Sequence, residues 1–404
     1  MAIEVPDPPP WADELTSVGV TGTNGKTSTT LWLAAMLATL GRPVAVATTL
    51  GYALDDEPFA AEKDFGGFLA TMRAALARGG AYAALEMTSE ALAMGFARAW
   101  PARVGVFTNL SFDHLDAHGT PEHYLASKAQ LFMHLRPGGT AVLNAADGCG
   151  ALLEEVLPGG IEVVRYGLAS RGETTRAEVV GRDVTFDWAG TQVLLDDRPA
   201  LRVRAIGEVF AENAIAAWLG AVAAGADPQT AATALAEAPA PPGRFDVVNP
   251  MPEAGAPRVV VDYAHTPDAL TRTLATAKTL ARRDDGAVRV VFGAGGGRDP
   301  SKRPVMGEAA ADADAVWITT DNPRDEDPAV IAEAVAEGLP GHANCRILLA
   351  RDAAIREAIA ASRGGDVVLV AGKGHERDMV IGGQKVTFSD GEVARAALRG
   401  DPLS

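Results

Sequence analysis

Long apolar runs are missing from this sequence. None approaches the ~18 residues that a membrane-spanning helix requires, so no membrane partner is expected. Basic charge is scarce as well: 36 Lys and Arg stand against 52 Asp and Glu, a formal net charge of −16 at pH 7. A nucleic-acid-binding surface needs a basic face, so no nucleic acid is expected either. Cysteine is limited to Cys149 and Cys345, which suggest no disulfide framework and fit a reducing compartment. The opening residues, M-A-I-E-V-P-D-P-P-P-W, lack a basic segment followed by an apolar one and do not read as a signal peptide. Together these absences point to the cytoplasm. No internal repeat or low-complexity tract is visible. What remains is an ordinary globular composition, 404 residues with 48% hydrophobic and 22% charged, enough for two or three domains.

The chain is organised around V-G-V-T-G-T-N-G-K-T-S-T-T, residues 18–30. A short apolar approach (Val18, Val20) runs into Gly22, Thr23, Asn24, Gly25, Lys26, Thr27 and Ser28, and an apolar helical pattern follows at once. Strand, glycine-rich turn and helix N-terminus in that order make an anion cradle. Backbone N–H groups and the helix dipole face phosphates, Lys26 reaches the terminal ones, and the Thr27 hydroxyl ligates Mg²⁺. The common P-loop pattern wants a glycine five positions before Gly25, where Val20 stands. The match is therefore G-T-N-G-K-T rather than the full pattern, and a glycine turn that holds no phosphate is the alternative. The flanking strand and helix favour nucleoside triphosphate binding.

Residues 1–16 are Pro-rich and read as a loose lead-in. From residue 17 strand-like and helix-like patterns alternate: strands at 44–48, 82–87 and 103–108, a helix at 65–78. This alternation predicts an α/β domain with a parallel sheet. Between 163 and 206 the texture changes to short, polar-interrupted β segments (178–180, 184–188, 192–195), read as a small antiparallel insert. A helix at 210–224 and another after Pro228 follow. The proline-dense stretch 238–243 is the best boundary. Beyond it, strands at 259–262, 288–293, 315–320, 346–350 and 367–371 alternate with Ala-rich helices, as in a doubly wound, Rossmann-like domain. The expected division is thus 1–16, 17–238 (the P-loop domain) and 239–404.

Chemistry-bearing residues cluster where strands end. Glu86 closes A-Y-A-A-L-E, and a carboxylate there can hold Mg²⁺ opposite Thr27; an ordinary solvated glutamate is the alternative. The next strand runs into T-N-L-S-F-D-H-L-D-A-H-G-T, which crowds Asp113, His114, Asp116 and His118 into one loop. No cysteine joins them and the spacing matches no familiar zinc motif, so Mg²⁺ beside phosphates fits better; helix capping by Asp113 or Asp116 stays open. Lys128 stands in the mostly apolar helix E-H-Y-L-A-S-K-A-Q-L-F, where its pKa or chemistry invites change unless it snorkels to the surface.

The stretches T-G-T-N-G-K-T, L-E-M-T-S, T-N-L-S-x-D-H-L-D-x-H-G and Y-L-A-S-K-A-Q-L-F resemble the Mur ligase family of ATP-dependent amide-forming enzymes. Downstream, P-G-R-F-D, V-V-V-D-Y-A-H-T-P-D-A-L, F-G-A-G-G-G-R-D-P-S-K-R-P, T-T-D-N-P-R-D-E-D-P and V-A-G-K-G-H-E resemble one branch of it. That branch adds the third residue, often meso-diaminopimelate, to UDP-N-acetylmuramoyl-dipeptide. The resemblance implies ATP and Mg²⁺, an acyl phosphate on an acceptor carboxylate, and attack by an amine. It implies that Lys26 holds the γ-phosphate, that Thr27 and Glu86 bind one Mg²⁺, and that His114 and a carbamylated Lys128 serve a second metal. Asn213 matches an adenine contact, Arg244 the arginine that crosses from the second domain to the phosphates, and Asp262 and His265 the ribose- and phosphate-side contacts. Thr48, Thr49 and Gly51 resemble the turn that touches the muramoyl-peptide. In the C-terminal part, Asp321, Asn322, Arg324, Arg298, Gly372 and Glu376 match the positions that read the incoming amino acid, although D-N-P-R alone could be only a turn and a helix cap.

Three departures accompany these matches. Members of this branch begin with a domain that grips the UDP portion of the acceptor, whereas here the P-loop starts near residue 20, so that domain is expected to be absent. Phe210 stands where the family places an asparagine, and Glu90 where it places a histidine. The expectation is an ADP-forming acid–amino acid ligase, joining an amino acid to a small-molecule or peptide carboxylate that is not UDP-linked. Alternatives are a peptidoglycan-precursor ligase whose UDP-binding domain is supplied elsewhere, or a non-catalytic nucleotide-binding regulator. The sequence leaves the oligomeric state open.

Overall fold

The computed structural model describes residues 5–111, 120–172, 174–297, 299–341 and 344–401. These residues form two compact units, one comprising residues up to 204 together with 208–239, the other 205–207 together with 240 onward.

The first unit is built on one sheet. Its strands are β1 (Thr16–Thr21), β2 (Val44–Thr48), β3 (Gly51–Leu54), β4 (Glu57–Phe59), β5 (Tyr82–Glu86), β6 (Val104–Phe107), β7 (Thr140–Asn144), β8 (Glu162–Leu168), β9 (Val179–Asp187), β10 (Gly190–Leu195) and β11 (Leu201–Val203). They lie in the order β11-β10-β9-β8-β7-β6-β1-β5-β2-β3-β4. From β2 through β5, β1, β6, β7 and β8 to β9 all neighbours are parallel. Antiparallel strands extend both edges, β3 and β4 on one side and β10 and β11 on the other.

The polar-interrupted segment is therefore not a separate sheet. It enters parallel, through β8, and becomes antiparallel only from β9 to β11. Two of its short segments are halves of one nine-residue strand, β9. Asp183 stands inside that strand at φ 48°, and the partner strand carries a register shift between Gln192 and Leu194. A bulge of this kind interrupts the period-two pattern from which a strand is read.

Successive β1 residues serve opposite faces, as a pleated strand requires. Val18 lies beneath Gly220 of the helix Glu208–Ala223, which packs with the helices Lys26–Leu37 and Pro228–Glu237. Gly19 lies beneath Leu131 of the helix Pro121–Met133. That second face is an aromatic-rich core: Phe68 meets Trp100 and Phe96, each at 5.0 Å between ring centroids. The lead-in is not loose from Trp11 onward. Trp11 packs on Trp100 at 5.5 Å with the Arg73 guanidinium above it, and Ala12 and Leu15 are buried. Packing of the half-buried Trp11 indole on the buried Trp100 overrides the prolines before it.

The second unit carries β12 (Asp246–Val247), β13 (Arg258–Asp262), β14 (Val288–Phe292), β15 (Ala315–Ile318), β16 (Cys345–Ile347) and β17 (Val367–Ala371), in the order β12-β13-β17-β14-β15-β16. Only β12 is antiparallel to its neighbour. The helices Pro267–Ala281, Lys302–Ala310 and Pro328–Ala336 pack in sequence, while Arg351–Ala360 and Asp390–Leu398 pair with each other over Val259, Val261, Val291 and Val370. A separate hairpin, β18 (Asp378–Ile381) with β19 (Gln384–Thr387), precedes the last helix. Four of the described helices start with a Thr or Asp cap followed by proline: Thr120, Asp227, Thr266 and Asp327 each accept a backbone N–H of the first turn. Proline fits there because that position has no N–H to satisfy.

Candidate active site

In both units the chemistry-bearing residues gather at the carboxyl ends of parallel strands, where such sheets open. The turn after β1 places Gly25 as the N-cap of the helix Lys26–Leu37 at φ 84°, with Gly22 at φ 153°. Neither tolerates a side chain: a Cβ on Gly22 would lie 1.9 Å from the Thr108 hydroxyl, and one on Gly25 2.2 Å from Asn213 Oδ1. The turn is held from the end of β6. The Thr23 and Asn24 N–H groups donate to Asn109 O and Oδ1 at 2.8 and 2.9 Å. Thr108 Oγ1 and Asn109 Nδ2 donate to Asn24 O at 2.7 and 3.1 Å. Thr108 and Asn109 therefore shape the glycine turn, a role that their place in a motif does not reveal. The only sequence signal is a polar pair directly after an apolar strand.

Lys26 Nζ curls onto its own turn, donating to Gly22 O and Thr23 O at 3.0 and 2.7 Å. Thr27 Oγ1 donates to Glu86 Oε2 at 3.0 Å. The same oxygen accepts the Thr49 N–H at 3.1 Å, so the turn that follows β2 also reaches Glu86. Thr48 ties its own turn through Leu50 N and Gly51 O. Lys63 Nζ donates to Thr49 O, which adds an exposed cation beside that turn. Lys128, 1% exposed, donates to Gly22 O at 2.7 Å and lies 4.2 Å from the centre of the Tyr124 ring, whose hydroxyl is 3.2 Å from Thr23 Oγ1. Ser28 is buried in the first helical turn. Asn213 sits against the backbone of Gly25. Its neighbour Glu212 is buried, accepts from Asn144 Nδ2 at 3.0 Å, and has its pKa raised by desolvation. His114, with Asp113, Asp116 and His118, lies outside the described residues. Among the described residues no group of three or more His, Cys, Asp and Glu could hold a metal.

In the second unit the Arg244 guanidinium stacks 4.2 Å from the centre of the Tyr263 ring. Tyr263 also meets His265 and His375, at 4.6 and 5.2 Å between centroids. Asp262 turns into its own loop: Oδ2 accepts Phe245 N at 2.6 Å and Oδ1 accepts Ala264 N at 2.7 Å. Desolvation raises its pKa despite the Arg244 charge nearby. His265 is exposed, its Nδ1 2.8 Å from Tyr263 O.

The residues 321–324 follow β15 and face the loop after β17. Glu376 Oε2 accepts from Asn322 Nδ2 and Lys373 Nζ, both at 3.0 Å. Arg324 donates to Gly296 O. Asp321 is 6% exposed, and a Cβ on Gly372 would lie 2.3 Å from its Oδ2. Burial raises the Asp321 pKa to about 6, although the charges of Arg351 and Lys373 pull it down. Arg351 is committed elsewhere, with Nε and Nη2 on the two oxygens of Asp390 at 2.7 and 2.8 Å. Arg298 lies outside the described residues.

Residues 20–221 match the family pattern of the Mur ligase middle domain, and residues 243–374 that of the Mur ligase glutamate ligase domain. The chain is 36% identical over 396 residues to the UDP-N-acetylmuramoyl-L-alanyl-D-glutamate–2,6-diaminopimelate ligase of Geobacillus kaustophilus, covering 95% of this chain and 78% of that one.

This chain belongs to the Mur ligase family. The Mur ligase fold also matches a solved UDP-N-acetylmuramoyl-L-alanyl-D-glutamate–2,6-diaminopimelate ligase, with TM-score 0.65, 33% identity, and coverage of 96% of this chain and 78% of that one. A more distant likeness is to Mycobacterium tuberculosis folylpolyglutamate synthase, with TM-score 0.70, 21% identity and coverage of 97% and 93%, which bears on the fold alone. The donor set of the cradle fits a Mur ligase's use of nucleotide and a hard cation. Two glycines leave room for phosphate, Lys26 stands beside them, and Thr27 and Glu86 supply oxygens of the kind Mg²⁺ takes. No helix among the described residues is long and apolar enough to cross a membrane.

Proposed function

We propose that this Mur ligase is an ADP-forming ligase that couples ATP cleavage to amide formation between an acceptor carboxylate and an amino acid carrying a second charged end. The observation that carries the reading is the convergence of Thr27 and Thr49 on one oxygen of Glu86 at the mouth of the glycine turn. It joins the first turn of the helix after the glycine turn, the Glu86 carboxylate and the 48–51 turn in one hydrogen-bonded group, which supports a reading in which phosphate, metal and acceptor meet.

ATP would supply the phosphoryl group and leave as ADP, and Thr27 and Glu86 would hold the Mg²⁺ ion that offsets the phosphate charge. Lys26 leaves its carbonyl partners to meet the terminal phosphate, and the backbone N–H groups of the turn hold the others. Thr48 and Thr49 orient the acceptor, whose carboxylate attacks phosphorus and becomes an acyl phosphate. Arg244, preset on Tyr263, is the further cation for these anions. Asn213 and His265 serve the nucleotide side, and Asp262 fixes the backbone that carries Arg244. Lys128, which donates to Gly22 O in the glycine turn, is proposed to lose its ammonium proton and, as the neutral amine, to react with CO₂ to give a carbamate and a second proton, which would turn a cation into an anionic ligand for the metal that His114 is proposed to serve. In the second unit Asn322 and Arg324, with Arg298, take the carboxylate ends of the amino acid. Asp321 and Glu376 take its ammonium ends, and Gly372 leaves the room. The amine attacks the acyl carbon, and the tetrahedral intermediate collapses to amide and phosphate.

The relatives' names specify UDP-N-acetylmuramoyl-L-alanyl-D-glutamate and 2,6-diaminopimelate. For this chain the second is the model for the amine. The acceptor is proposed to be recognised through its peptide carboxylate end, the part proposed to meet the 48–51 turn, with no requirement for a nucleotide. The deciding experiment uses an ¹⁸O-labelled acceptor carboxylate, tried as UDP-linked and as nucleotide-free peptide, with diaminopimelate and ATP. One label atom should appear in the released phosphate. Phosphate without label, or ATP cleavage indifferent to acceptor and amine, refutes the ligase. Use of the UDP-linked acceptor alone refutes the acceptor assignment.

A further inference from the structure

Asn322 and Arg324 both stand at positive φ, 44° and 54°, on either side of Pro323. Such backbone is costly for residues other than glycine and persists only where surrounding bonds fix it. Two clasps do so here. On one side is β18: Val380 N donates to Asn322 Oδ1 at 3.0 Å, Arg324 N donates to Val380 O at 3.0 Å, and Gly382 N donates to Arg324 O at 2.6 Å.

On the other side is the glycine turn after β14. Gly296 N donates to Asn322 O at 3.1 Å, and a Cβ on Gly296 would lie 1.9 Å from Pro323 O. Gly296 O is also the acceptor of the Arg324 guanidinium. A further side chain secures the glycine turn, at φ 60° for Gly297. Glu326 Oε1 accepts Gly297 N at 2.5 Å, and Glu326 Oε2 accepts Arg303 Nη2 at 2.7 Å, with Arg303 only 5% exposed.

We propose that Glu326 is a positioning residue for amine selection: it locks the glycine turn 295–297 against the 321–324 turn and so presents the Arg324 guanidinium at one place. The inference rests on the proposed function, because the substrate end that Arg324 meets is the distal carboxylate of the amino acid. Glu326 takes part in no bond-making itself. Its carboxylate lies in the field of Arg324, yet the Gly297 N–H and Arg303 occupy both of its oxygens. The guanidinium is thereby left to a carbonyl, which a substrate carboxylate displaces more readily than it would a carboxylate partner.

The test compares diaminopimelate with lysine as amine in the full-length enzyme. Loss of a positioned guanidinium should raise the diaminopimelate KM of Glu326→Ala by about tenfold, with kcat and the ATP KM within about twofold. The lysine KM should barely move, so discrimination collapses. Glu326→Gln keeps an acceptor for Gly297 N–H and should restore most of the discrimination. Glu326→Asp, shorter by one methylene, should show the same split to a smaller degree and guards against a misfolded alanine variant. Amide exchange at Gly297 should quicken in Glu326→Ala and not in Glu326→Gln.

A wild-type enzyme that ligates no amino acid overturns the proposed function, and the Gly297 exchange still decides whether the clasp exists. If the wild type discriminates and Glu326→Ala discriminates equally, or if both amines and ATP lose affinity together, the positioning role is overturned.

Discussion

Asp321, proposed to meet the amino acid, carries a cost to stability at one residue. Its carboxyl is buried and its pKa rises from 3.8 to about 6. The folded state therefore holds its proton more tightly than the unfolded one. Below pH 3.8 both states are protonated and there is no penalty; from there to about pH 6 the penalty grows, and above that it is present in full. Asp321→Asn should remove a cost of roughly 1–3 kcal/mol at pH 7.5 and little at pH 4. Urea unfolding at the two pH values checks this, and equal effects at both would contradict it. Amide formation should fall in the same variant. Lys128 gives a second test. If its carbamate serves the site, Lys128→Ala should lose about a hundredfold or more in kcat and regain part of it with added short-chain acids. Undiminished activity without additive would refute that role. At this scale the sequence is legible where geometry demands a residue type: Gly22 and Gly25 can be read because nothing else fits. It is silent on who holds whom. Nothing in T-N-L-S announces that Thr108 and Asn109 carry the cradle, and nothing in D-Y-A-H-T-P announces that Asp262 faces its own backbone.

Among elements, the parallel sheets are legible because fully buried strands are continuous apolar runs, as in V-V-V-D and V-V-L-V-A. The hairpins are not. All four strands are short: β4 and β19 are largely exposed, β3 is mostly half-buried and β18 has one buried residue, so they carry no clear apolar period. Their order comes from turns and from pairing with the strand next in sequence, β2 with β3, β3 with β4 and β18 with β19. The turn of the second hairpin, Gly382-Gly383 at φ 55° and 73°, matches the hand of a two-residue hairpin. Elements also predict differently from single groups. Asn109→Ala removes the acceptor of Asn24 N and a donor to Asn24 O. Two lost hydrogen bonds of about 1 kcal/mol each should raise the ATP KM about tenfold or more while leaving the amine KM alone. Initial-rate kinetics with each substrate varied decides it; an unchanged ATP KM would mean that the cradle holds its shape unaided.

At the scale of the whole molecule, each unit has its own sheet and its own core. Calorimetry should resolve two unfolding transitions. Phe68→Ala, in the aromatic core of the first unit, should lower one of them, a core truncation of this kind costing about 3–5 kcal/mol. Ile355→Ala should lower the other. A single transition moved by both would show that the units melt as one. Within the second unit, the loop 372–376 has two tenants. A Cβ on Gly243, next to Arg244, would lie 2.1 Å from His375 N, and one on Gly374 would lie 2.8 Å from Tyr263 Cβ. Two residues further on, Glu376 holds Asn322. For protein engineering this makes the loop a poor cassette. A graft of residues 372–376 from a relative of different amine preference would disturb the seat of Arg244 together with the amine turn, and chimeras cut there should lose turnover before they change taste. The exchange that keeps the Arg244 seat intact joins the 321–326 turn to the hairpin 378–387, leaving the glycines of the loop where they are.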